Sequence, residues 1–77
     1  TIKIFINLGF GQGFTKGNLA EFLVEEAGLS ASDVKNVVVE DHHSCFEVPA
    51  RFEKQLFINL KGYKIAHRNV KLTLDEV

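Results

Sequence analysis

The 77-residue sequence predicts an α+β domain of order β-α-β-β-α-β, in which a four-stranded antiparallel sheet carries two helices on one face. Three observations predict it. Residues 2–8 alternate with the period of a strand buried on one side. Two stretches, 15–28 and 49–62, place apolar residues at helical spacing between a start signal and a glycine stop. Three further segments, 34–40, 43–48 and 70–74, are β-branched or alternating and too short for helices.

In the first strand Ile2, Ile4, Ile6 and Leu8 point to the core, while Lys3, Phe5 and Asn7 point away, which puts an aromatic on the outer face. A loop punctuated by Gly9, Gly11 and Gly13 follows, read as a flexible segment needing positive φ at several positions. Thr15 is the expected N-cap of the first helix, with Phe14 placed to staple against Leu19. Leu19, Phe22, Leu23 and Ala27 share its buried face, Glu21, Glu25 and Glu26 line the other, and Gly28 ends it. The second strand, 34–40, sends Val37 and Val39 inward. After a turn at Asp41 and His42, the third strand, 43–48, sends Ser44, Phe46 and Val48 inward and His43, Cys45 and Glu47 outward. Pro49 suits the first turn of the second helix, where its missing N–H costs nothing. Phe52, Leu56, Phe57 and Leu60 form the buried stripe of that helix, Ile58 falls off the stripe, and Gly62 stops it. A short extended segment, 63–65, and a loop lead to the last strand, where Val70, Leu72 and Leu74 alternate with Lys71 and Thr73. This is the split βαβ, ferredoxin-like sandwich, and the sheet face away from the helices is open to solvent.

Composition narrows the function classes. The chain has nine Lys and Arg against ten Asp and Glu, for a net charge of -1, and its apolar content suits a single domain over residues 1–77 with a thin margin of stability. It neither begins with Met nor contains one, so a domain cut from a longer protein is expected. A single Cys can form no internal disulfide and no paired-thiol zinc site, as suits a reducing, cytoplasmic setting. No apolar run has the length of a membrane span, so no membrane partner is expected.

Several uses of this architecture fail at particular residues. A copper-chaperone module needs Cys-x-x-Cys in the first loop, which has no Cys. An acylphosphatase-type enzyme needs an Arg there, and residues 9–14 contain no basic residue. The spacing Gly9, Gly11, Gly13 would need a glycine in place of Phe14 to make a dinucleotide fingerprint. Asp41, His42, His43, Cys45 and Glu47 form the one reactive-looking cluster, but residues two apart on a strand stand about 7 Å apart, so a metal site would need a ligand from a neighbouring strand. No metal, cofactor or catalytic residue is expected. A ligand-sensing regulatory module remains compatible with the fold.

An open sheet face with an aromatic on its first strand resembles the RNA recognition motif. Ile4-Phe5-Ile6-Asn7-Leu8-Gly9 is similar to the first-strand signature of that module, in which the aromatic at the Phe5 position stacks on a base. The third strand departs from it: where the motif has outward basic, aromatic and aromatic residues, this chain has Asp41, His43 and Cys45, of which only His43 can stack. That combination resembles the C-terminal RNA-binding domain of DbpA/DeaD-type bacterial DEAD-box RNA helicases. The shared residues are Phe5-Ile6-Asn7-Leu8-Gly9, the glycines at 9, 13 and 17 before Leu19, Glu26-Ala27-Gly28-Leu29, Asn36-Val37, Ser44-Cys45-Phe46-Glu47-Val48-Pro49, Leu60-Lys61-Gly62, Lys64-Ile65, Arg68 and Val70. The resemblance implies a non-catalytic accessory module. It would tether an ATP-driven helicase core, upstream in the same chain, to structured RNA, with large-subunit ribosomal RNA the target in some members and ribosome biogenesis the setting.

Charge placement agrees with a nucleic-acid partner despite the near-neutral total. Residues 1–20 carry two basic and no acidic residues, 21–53 two basic and eight acidic, 54–74 five basic and none acidic, and 75–77 two acidic. The first and last strands are neighbours in this fold, so Lys3, Phe5 and Asn7 are expected beside Lys71 and Thr73, with Lys61, Lys64 and Arg68 near one end. With His43 these nine are the expected RNA-binding residues. The alternative reading is a protein-interaction or dimerisation module that does not bind RNA, motivated by the degenerate third strand, the acidic Glu40, Asp41 and Glu47, and the off-stripe Ile58.

Overall fold

A computed structural model describes residues 1–65 and 68–75, with only the backbone given at Arg68 and Asp75. The main sheet holds β1 (Ile2–Ile6), β2 (Lys35–Val39), β3 (Ser44–Val48) and β6 (Leu72–Asp75) in the order β2-β3-β1-β6. All of its pairings are antiparallel. Helices α1 (Lys16–Ala27) and α2 (Glu53–Asn59) complete the expected βαββαβ arrangement. The segment expected to be merely extended before the last strand is a small separate hairpin of β4 (Lys64–Ile65) and β5 (Arg68–Asn69).

The alternation of the first strand decides which face is covered. Ile4, Ile6 and Leu8 are fully or almost fully buried, together with Phe46 and Val48 from β3 and Leu19, Leu23 and Ala27 from α1. Leu56 and Leu60 close the core from the second helical segment, while Phe22, Phe52 and Phe57 pack partly buried at its margin. Burying each such Leu, Ile or Phe stabilises the fold by roughly 1.5–3 kcal/mol, so the inward rows supply most of the driving force. The one buried polar side chain among the described residues is Ser44, whose hydroxyl donates to the Leu8 carbonyl at 2.5 Å and so does not go unsatisfied.

Local signals set most boundaries. The Thr15 hydroxyl accepts the Asn18 N–H at 3.3 Å, and Gly28 takes a left-handed conformation with φ 74 at the end of α1. The α1 carbonyls left open there are used by α2: Gln55 Nε2 donates to the Ala27 carbonyl at 2.7 Å and Asn59 Nδ2 to the same oxygen at 3.1 Å. Phe14 meets Phe22 edge-on, with centroids 5.5 Å apart, and Phe22 meets Tyr63 in the same way at 5.4 Å. Pro49 stands one residue before a 3-10 turn (Ala50–Phe52), and α2 proper starts at Glu53, later than the sequence pattern suggests. β3 likewise starts at Ser44 rather than His43, and β1 ends at Ile6 rather than Leu8.

The glycine loop corrects its expected explanation. Among its three glycines only Gly13 has positive φ, at 85. Gly9 is there for proximity: a Cβ on it would lie 2.1 Å from the Glu40 carbonyl oxygen. The loop is tied to the β2–β3 turn, with Phe10 N–H donating to Glu40 O at 2.8 Å and Gly11 N–H to Asp41 O at 2.7 Å. It is therefore a held connection, not a flexible one.

Candidate nucleic-acid interface

The open face is built by the outward half of each strand. Register sets Phe5 opposite Cys45 on one side and Thr73 on the other, and Cys45 in turn opposite Val38. Phe5 therefore occupies an inner strand, half-buried among its neighbours, with Thr73 exposed at the edge. Val38 is 52% exposed, so the apolar row extends to the far edge of the sheet. A ring fixed this way loses little entropy on stacking. Lys3 is exposed, and its Nζ lies 5.8 Å from the Phe5 ring centroid, within cation–π range.

The neighbouring register row is charged. Lys35 pairs with Glu47, Glu47 with Lys3, and Lys3 with Asp75, so the last-strand neighbour of Lys3 is acidic and not one of the cations of the last strand. Asn36 Nδ2 donates to Glu47 Oε2 at 2.9 Å. This contact belongs to an irregularity in β2, where the register shifts between Lys35 and Val38 and Asn36 adopts φ 52.

Asn7 is placed beside the last strand, as expected, and its carboxamide is engaged by backbone. Oδ1 accepts the Lys71 N–H at 2.7 Å and Nδ2 donates to the Asn69 carbonyl at 2.8 Å. The Asn7 N–H itself donates to Lys71 O at 3.3 Å. These bonds fasten the segment before β6, Lys71 included, against the end of β1.

Lys61 and Lys71 are brought together across a groove of about 290 Å³ whose walls include Phe57, Leu60 and Val70. Both lysines are exposed, as is Lys64 on the β4–β5 hairpin. Arg68 follows in that hairpin opposite Ile65, its side chain lying outside the described residues. His43 stands apart from this group, just before β3, with Nε2 2.5 Å from a Glu40 carboxylate oxygen. Phe10, unassigned by periodicity, is 55% exposed on the loop tied to Glu40; an aromatic between two glycines is the signal that marks it.

A half-exposed aromatic on an inner strand of an open antiparallel sheet, with Lys3 over its ring and Lys61 and Lys71 lining a groove beside the approach to β6, is a surface suited to holding bases and phosphates. A family model described as the DbpA RNA binding domain matches residues 3–74. The chain belongs to the DbpA RNA-binding domain family. A search of curated proteins finds no match. The match runs from Lys3 in β1 to Leu74 in β6 and so touches every element of the βαββαβ unit. The chain is thus an RNA-binding domain, non-catalytic on its own, with RNA as its partner.

Proposed function

We propose that this DbpA-type domain is the accessory module of a cytoplasmic DEAD-box RNA helicase, holding structured RNA for an ATPase core in the same chain. Large-subunit ribosomal RNA is the target class that the family resemblance favours. One observation carries the choice of surface: Phe5 is half-exposed on an inner strand of the open face, one strand away from Thr73. Phe5 stacks on a base. Lys61, Lys64, Arg68 and Lys71 neutralise phosphates along the edge, Lys3 and Thr73 flank the stacked base, and His43 supplies a contact at the far side. The acidic stretch between residues 21 and 53 keeps the backbone of the RNA on the basic half.

The helicase context is tested in the parent gene and its product. DEAD-box motifs are expected upstream of Thr1, and removal of residues 3–74 should abolish preferential stimulation of ATP hydrolysis by large-subunit ribosomal RNA while leaving hydrolysis with generic RNA. An upstream sequence without those motifs, or stimulation indifferent to the deletion, contradicts the proposal.

A second reading has one observation in its favour. Ile58 is 71% exposed on α2, on the layer opposite the open face. An aliphatic side chain so placed suits a protein contact at the back of the domain, compatible with RNA on the front. Light scattering of the isolated chain at rising concentration, with Ile58→Ser as control, distinguishes self-association from a monomer.

A further inference from the structure

We propose that Glu47 reads the base held on Phe5 and gives the domain a preference for guanine. The inference rests on the sheet-face reading above. Glu47 lies in β3 opposite Lys3, which makes it the diagonal neighbour of Phe5 across the β1–β3 pair. Diagonal neighbours stand about 7–8 Å apart, so the edge of a base stacked on the ring comes within reach of a side chain as long as Glu.

The carboxylate is held in place by a backbone feature. The β2 irregularity turns Asn36 to φ 52, a left-handed conformation that Asn tolerates better than most residues. From there its amide donates to Glu47 Oε2 at 2.9 Å. Among the described residues no cation forms an ion pair with Glu47, although Lys3 and Lys35 are its register partners. One oxygen is thereby anchored, and the other keeps its acceptor capacity.

An ionised carboxylate only accepts hydrogen bonds. The Watson–Crick edge of guanine offers two adjacent donors, N1–H and the N2 amino group. Adenine and cytosine each offer a single amino donor beside a ring acceptor, and uracil offers one N–H between two carbonyls. The charge also repels phosphate, which turns base edges toward Glu47 and leaves the backbone to the flanking lysines.

The test is fluorescence anisotropy of the 77-residue chain with short single-stranded uridine tracts carrying one central guanosine, inosine, adenosine or cytidine. Guanosine should bind about 5- to 150-fold tighter than adenosine, the range for one good bidentate pairing, with inosine between them because it lacks the amino group. Glu47→Gln keeps an oxygen that can accept from Asn36, so it should leave the unfolding midpoint unchanged while removing the guanosine preference. Equal binding of the probes by the wild type, or a guanosine preference that survives Glu47→Gln, overturns the assignment to Glu47. Phe5→Ala should weaken every probe. If it weakens none, or if no probe binds, the sheet-face reading itself fails and the inference falls with it.

Discussion

The carboxamide of Asn7 accepts the backbone N–H of Lys71 at 2.7 Å, joining the end of the first strand to the approach of the last across 64 residues of sequence. With the second bond, to the Asn69 carbonyl at 2.8 Å, it fixes the path of the basic edge relative to Phe5.

Replacing Asn7 by Ala removes both of these bonds and strands their backbone partners. Each is worth about 0.5–1.5 kcal/mol net, so Asn7→Ala should cost about 1–3 kcal/mol in denaturant unfolding. RNA affinity should fall in the folded variant too, because the segment carrying Lys71 is no longer held against the end of β1. Wild-type stability would show that water replaces the side chain without loss.

Gly9 and Gly13 should respond to Ala for different reasons. At Gly9 a new Cβ meets the Glu40 carbonyl oxygen at 2.1 Å, an overlap that demands backbone movement and should cost about 1–3 kcal/mol. At Gly13 nothing lies within 4 Å of the new atom, and the penalty is that of φ 85 alone, about 1–2 kcal/mol. The two variants also separate by exchange protection of the Phe10 and Gly11 amides, which only Gly9→Ala should lower.

Tyr63 is the sole tyrosine in a chain without Trp, which makes its ionisation directly visible as tyrosinate absorbance. Partial burial raises its pKa above the usual 10.0, and a hydrogen bond and charge repulsion from Glu26 raise it further. The folded pKa lies above the unfolded one, so the stabilisation is fully present below pH 10 and is lost as pH rises through the folded value. Glu26→Gln should move the alkaline midpoint down toward that of free tyrosine. An unmoved midpoint would exclude Glu26 as a cause.

What was legible in the sequence was whatever periodicity and punctuation encode. Ile4, Ile6 and Leu8 mark the covered face by alternation alone, and Thr15 and Gly28 mark the two ends of α1, because caps are local chemistry. Phe5 could be placed on the open face for the same reason. The role of Gly9 could not, since a close approach to Glu40 depends on a turn about thirty residues on. Asn7 reads as one more outward polar residue until the last strand is docked against it. The β2 irregularity at Asn36 is hidden inside a β-branched run whose composition predicts a regular strand. The His43–Glu40 contact spans only the β2–β3 turn and the β4–β5 pairing only residues 64–69, local features that no alternation or capping signal marks.

The basic edge should appear in the salt dependence of binding. Lys71→Ala and Arg68→Ala should each flatten the slope of log affinity against log salt by about 0.7–0.9 for every phosphate that is no longer neutralised. Lys16→Ala, at the first residue of α1 on the helical layer, should leave the slope unchanged and serves as the control. Equal slopes in all three would move the phosphate path away from β5 and β6.

The central claim is that a base stacks on Phe5. It is tested most directly by titrating a hairpin from large-subunit ribosomal RNA into the wild-type chain and into Phe5→Ala and Phe5→Tyr at fixed salt. The account predicts a loss of about 1–3 kcal/mol of binding free energy for Phe5→Ala and near wild-type affinity for Phe5→Tyr, which keeps a stacking face. Unchanged affinity in Phe5→Ala, with the variant folded, would contradict it.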